Sequence, residues 1–208
     1  HQIDDPYSHL LVQALERVQS SYDIDLELRI VPAPVDDAAP ERAALEDYSR
    51  RDAAAIAPFY ELQFDDPGSQ PTVEICQLAE RALVATGNKV AAAVEIGAAF
   101  WAGDSQTLSK LPLVSNTLAA EQRETGRRER EALGHYLGGM LYFAGEWYWG
   151  VDRLPYLEER LIQAGLQRTG HRQVAQFQSR PAFMLNSDQR RLTLEFFPSI
   201  RSPYSYIS

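Results

Sequence analysis

The chain has 208 residues, a formal net charge of −9 and 45% hydrophobic residues, which suits one large globular domain or two small ones. The negative balance argues against nucleic acid or an anionic membrane as partner. No apolar run approaches the roughly 20 residues that span a bilayer. The single cysteine, Cys76, excludes an internal disulfide and a C-x-x-C redox pair. No basic stretch leads into an apolar core at the start, so a cytoplasmic protein is expected.

Asp5-Pro6 is a helix start, because Asp caps free N–H groups and Pro loses nothing at the first helical position. Leu10, Leu11, Ala14, Leu15 and Val18 follow at helical spacing, which predicts a helix over 6–20. In "DIDLELRIV" Ile24, Leu26, Leu28 and Ile30 alternate with Asp25, Glu27 and Arg29, the pattern of a strand with one buried face. The prolines of 31–40 end it in a loop.

Residues 41–137 read as mostly helical. One helix over 41–62 is open to a break at Pro58, and a second over 72–86 is stopped by Gly87. A third, "KVAAAVEIGAAFWAG", has so many small residues that it must pack closely on its neighbours. A fourth over 115–137 mixes Arg and Glu and reads as a solvated face rather than a phosphate-binding patch. "MLYF-AGE-WYWG" then predicts two short strands about a tight turn. "VDRLPYLEERLIQAG" predicts a last amphipathic helix ending at Gly165. Residues 167–190 read as a linker, and "LTLEFF" at 192–197 as a strand.

The opening phrase returns at the end. At an offset of 197 positions Pro6, Tyr7 and Ser8 recur as Pro203, Tyr204 and Ser205. This suggests one unit followed by the start of a second. Helices that follow strands supply parallel crossovers, so the predicted class is α/β with an all-helical insertion.

This order of elements resembles the thioredoxin fold with a helical insertion, as in the DsbA-like superfamily. "RSPYSY" (201–206) is similar to the segment that opens the first helix in kappa-class glutathione transferases and 2-hydroxychromene-2-carboxylate isomerases. "WYWGVDRLPYLEERL" (147–161) is similar to their closing strand and helix. The resemblance implies a DsbA-like domain over 1–166 with its insertion at 41–137, a linker over 167–190, and a second copy beginning at 191. It also implies glutathione as cofactor and a small organic electrophile as substrate. The residue facing the glutathione sulfur falls at Ser202, which in the first copy is Asp5. Tyr7, His9, Gly139, Met140 and Tyr204 are the implied cofactor-binding positions.

Two positions depart from the family pattern. Asp5 would repel a glutathione thiolate and would itself occupy the helix end that stabilises such an anion. Gly138-Gly139 stands where the fold usually carries a cis-proline.

Each chemical reading has a plainer one beside it. Asp5 is a helix cap or a catalytic acid or base. His9, about one turn on, is an exposed polar residue or the partner of Asp5 in proton transfer. His135 packs beside Tyr136 or lines the cleft. Trp147, Tyr148 and Trp149 are packing residues or a stacking wall for an aromatic substrate. Asp152 and Arg153 cap the last helix, and Cys76 is a buried small residue. The four histidines have no metal-ligand spacing, and no phosphate loop is present.

Two functions remain open on the sequence. One is a glutathione-dependent isomerase or transferase of the 2-hydroxychromene-2-carboxylate isomerase type, in which no protein cysteine is needed. The other is a degenerate, non-catalytic thioredoxin-fold domain that binds a ligand, or pairs with the second copy or a homodimer partner. Dithiol–disulfide exchange is excluded by the lone cysteine.

Overall fold

The structure, a computed structural model, describes residues 1–35, 37, 39–170 and 195–197. The chain divides into two compact units, His1–Phe177 and Gln178–Ser208. In the second, residues 195–197 have no regular secondary structure. Residues 192–194, Ser202 and Tyr204 lie outside the described residues.

Helix α1 (Pro6–Ser21) begins where Asp5 caps it and where Pro6 fits the first turn. Its Leu10, Leu11, Ala14, Leu15 and Val18 are buried, as their spacing predicts, and so are Val12, Ser8 and His9. A helix buried on so much of its circumference needs cover on several sides. Helix α2 (Arg42–Ile56) is followed by a 3₁₀ turn over Ala57–Tyr60. Pro58 stands at the start of that turn, where its missing N–H is tolerated.

Helices α3 (Val73–Ala85) and α4 (Val90–Trp101) follow. Helix α4 packs closely, as its small residues predict: a Cβ at Gly97 would overlap the His9 ring of α1. The five-residue helix α5 (Ser105–Ser109), capped by Asp104, is a feature the sequence reading missed. Its length is below one that carries a readable period. Helix α6 (Asn116–Ala132) then leads to a hairpin of β1 (Met140–Phe143) and β2 (Glu146–Trp149). The pair is antiparallel, with Met140 opposite Trp149 and Phe143 opposite Glu146. Ala144 and Gly145 both have positive φ, as a two-residue turn matched to strand twist requires. A 3₁₀ turn (Val151–Arg153) and helix α7 (Leu154–Gln163) complete the unit.

The result is a mixed α/β unit with seven α-helices and a two-stranded antiparallel sheet among the described residues. The expected strand at 24–31 is corrected by the structure. Its alternation is real, since Leu28 and Ile30 are buried while Asp25, Glu27 and Arg29 are exposed. It is not assigned as a strand, because it makes main-chain contacts only at its ends. Asp23 N–H donates to the Leu166 carbonyl at 2.7 Å, and Val31 N–H to the His1 carbonyl at 3.0 Å. Alternation reports which side chains face the core; a strand also needs a paired neighbour. No parallel crossover between strands is present among the described residues.

The far end of the unit is closed by Tyr22, which is fully buried and donates its hydroxyl to Glu158 Oε1 of α7 at 2.9 Å. Tyr22 also forms an isolated antiparallel bridge with Gln167. At the other end, α6 passes over residues 30–31 at Gly126, where a Cβ would overlap the Ile30 carbonyl oxygen. We predict that Gly126→Ala destabilises the protein by about 1–3 kcal/mol through this overlap, although Ala is the better helix former by about 1 kcal/mol. An unchanged or higher denaturation midpoint would show that α6 does not lie against this backbone.

Candidate functional site

A cleft of about 160 Å³ opens at the N-terminus of α1. Asp5 stands at its inner end. Its Oδ1 accepts the Tyr7 N–H at 3.2 Å, and its Oδ2 accepts the Ser8 N–H at 3.0 Å and the Ser8 hydroxyl at 2.7 Å. Ser8 Oγ in turn accepts the Gln2 N–H at 3.1 Å. The carboxylate therefore fills the position where exposed N–H groups and the helix dipole would hold an external anion.

Across from Asp5 lies the glycine pair. A Cβ on Gly139 would stand 3.1 Å from Asp5 Oδ2, and one on Gly138 would meet Gln2 at 2.6 Å. Gly139 has φ of 60°, so the close approach and the left-handed backbone both select glycine there. All peptide bonds among the described residues are trans. Arg130 of α6 fixes this side of the cleft. It is buried, and its Nη1 donates to the Pro32 carbonyl at 3.1 Å and the Leu137 carbonyl at 3.2 Å. The expectation that this helix is a solvated face is thus corrected at Arg130. It is corrected also at Arg123, which pairs with the buried Glu80 of α3 at 2.7 Å. It holds at Arg127, which pairs with Glu124 and Glu131 on the exposed side.

The outer wall is α2, which the sequence reading did not connect with the site. Arg42, Leu45, Glu46 and Ser49 line the cleft, and Asp52 accepts the Tyr7 hydroxyl at 2.8 Å. Positions 42, 45, 46, 49 and 52 recur at three- and four-residue steps, so they share one helix face. That mixed polar stripe was the available signal. Arg50, buried beside it, donates to Asp66 at 3.2 Å and to Gln70 at 3.0 Å. Gln70 then donates to the Asp4 carbonyl at 2.6 Å, tying the loop after α2 to the start of α1. Trp149 closes the mouth, half exposed, with its ring edge-on to Tyr7 at 6.3 Å.

The electrostatics follow from burial. Desolvation raises the Asp5 carboxyl to about 6 against the hydrogen bonds from Ser8 and Tyr7, which act to lower it. Glu46 is also raised, first by burial and then by the nearby Asp4 charge. Tyr7 is pushed up by burial and by Asp52. Asp4, Asp5 and Glu46 stand about one opening, with Arg42 also in its lining. A carboxyl held near neutrality can also exchange a proton with a bound ligand.

The sequence-derived positions divide. Asp5, Tyr7 and Gly139 come together at the helix start. His9 does not join them. It is buried rather than exposed, lies against Gly97 and Phe64, and burial lowers it to about 4. It falls in a run of α1 buried without a break from Ser8 to Val12, and its ring packs against α4 at Gly97. Met140 lies at the head of β1, on a different cavity. His135 is stacked on Tyr136 at 5.5 Å and lies close to Trp147 at 5.1 Å. Cys76 is a free, half-buried thiol on α3, pushed up chiefly by burial. Among the described residues no three His, Cys, Asp or Glu side chains are grouped to hold a metal ion. No helix there is long and apolar enough to cross a membrane.

Asp5 and His9 give opposite pH signatures. Between about 4 and about 6 the folded state keeps an Asp5 proton that the unfolded chain releases, so this contribution to stability falls as pH rises through that window. Below about 6.5 the unfolded chain protonates His9 while the folded state resists to about 4, so that contribution falls as pH drops. Asp5→Asn keeps an acceptor oxygen and removes the charge. Relative to the wild type it should gain on the order of 2–3 kcal/mol between about pH 4 and about pH 7. Asp5→Ala should lose roughly 0.5–2 kcal/mol of capping. Urea midpoints across pH check both, and a pH-independent difference for Asp5→Asn would refute the raised carboxyl.

No family model matches this chain, and no similar protein was found among curated proteins or solved structures.

Proposed function

We propose that this unit is a thioredoxin-like domain of the DsbA-related type that binds a small ligand at the start of its first helix and does not itself hold a thiolate. The observation that carries the reading is the Asp5 carboxylate seated on the Tyr7 and Ser8 N–H groups. A glutathione thiolate needs those same donors and would face a carboxylate in their place. The preferred ligand is a neutral or cationic organic molecule with a hydrogen-bond donor for Asp5 and a flat part for Trp149 and Tyr48 at the mouth. In the tandem reading this first copy is the degenerate partner of a second.

The second reading is a glutathione-dependent isomerase or transferase acting on a small organic electrophile, with Ser202 holding the thiol in the copy that begins at 191. It is supported by the position of the cleft, which lies at the start of the first helix with Gly138 in its lining. Titration calorimetry separates the two. The wild-type chain should give no binding heat with glutathione at millimolar concentration, and Asp5→Ser, which clears the carboxylate, should acquire it. Tight glutathione binding by the wild type that persists in Asp5→Asn would favour the enzyme.

A further inference from the structure

A separate cavity, of about 550 Å³, is lined by α1, α4 and residues 63–67, and no residue lines both it and the cleft at Asp5. Two hydrogen bonds tie its walls together. Gln13 Nε2 of α1 donates to the Gln63 carbonyl, and the Gln63 N–H donates to Gln13 Oε1, both at 2.9 Å. The buried Phe64 ring stands edge-on to Trp101 at 5.1 Å and tilted against His9 at 6.3 Å. Val94 and Ala98 of α4 add aliphatic surface to the lining. A concave, mostly apolar space of this size with a few polar groups is the usual setting for a small organic ligand.

One polar group of that lining is left unsatisfied without a packing reason. Trp101 is 4% exposed, and its Nε1 is buried with no hydrogen-bond acceptor. An indole N–H can only donate, so a buried one is costly until an acceptor reaches it. The other orphan in the lining, His9 Nδ1, is covered by the close approach of Gly97. The charged side chains of the lining are Asp65 and Asp66. Asp66 is held by Arg50 at 3.2 Å, whereas Asp65 is exposed, so a negative ligand meets like charge at the rim. We propose that this cavity binds a small neutral carbonyl compound with an aromatic body, which lies on Phe64, Val94 and Ala98 while its oxygen accepts the Trp101 N–H. The apolar walls supply the affinity, and the lone donor fixes the orientation. This site stands independently of any ligand at Asp5.

The indole N–H resonances of the full chain test this. The chain has three tryptophans, and Trp101→Phe identifies the resonance of Trp101. Titration with acetophenone should move that resonance downfield to a plateau while those of Trp147 and Trp149 stay in place. α-Methylstyrene has the same shape without the oxygen and should bind about tenfold more weakly, because it leaves the N–H unpaired. Benzoate should not bind. Ala98→Phe, at an exposed helix position that lines the cavity, fills the space and should abolish the plateau. No plateau at Trp101 overturns the proposal. So does a plateau that survives Ala98→Phe, because the indole is then reached through the neighbouring hollow of about 490 Å³ that Trp101 also lines. Equal binding of α-methylstyrene, or binding of benzoate, overturns the assigned ligand class. The comparison of ligands keeps the test decisive if Ala98→Phe fails to fold.

Discussion

The organisation of this domain depends on how the first helix is capped. Asp5 satisfies two main-chain donors and a serine hydroxyl with one carboxylate, and that carboxylate lies against a backbone so close that glycine is required opposite it. The helix it starts is buried on most of its surface and touches α2, α4 and the turn before α7. Its entry point therefore fixes the positions of its neighbours. The arrangement carries tension of its own: the capping bonds favour the ionised acid while burial disfavours it, and burial prevails.

The cleft inherits its character from that conflict. A helix start is ordinarily a place for a negative guest, and here the protein supplies the guest. The surrounding groups are of both signs: Asp4 and Glu46 line the cleft beside Arg42, while Arg50, which is buried, is turned into Asp47, Asp66 and Gln70. What remains accessible is a carboxyl near its titration point with Trp149 beside its mouth.

Much of this was readable from residue order. Asp5-Pro6 located the helix and its cap together, because both residues act through local backbone chemistry. The hairpin was readable for the same reason, and so was the small-residue helix α4. The strand expected at 24–31 was not, since period-two burial depends on a face and pairing depends on a neighbour that sequence does not name. His9 was misplaced because α1 is buried without a break from Ser8 to Val12 and α4 approaches closely at Gly97, a contact that the sequence does not name. Arg123 and Arg130 looked like two more charges on a mixed face; only the folded chain shows that the Pro32 and Leu137 carbonyls and Glu80 await them. The wall formed by α2 was present as a polar stripe at 42, 45, 46, 49 and 52, but a stripe of that kind also describes a solvated helix.

The closure at Tyr22 bears on how the protein is made. Its hydroxyl reaches a carboxylate 136 residues further along the chain, and its main chain meets Gln167. During synthesis the end of the first helix therefore emerges long before the groups that bury it. Until α7 has left the ribosome, Tyr22 and the apolar face beside it have no permanent cover, and the loop that must close is among the longest the domain contains. Between the two, the growing chain carries an unfinished core with an apolar helix face still exposed.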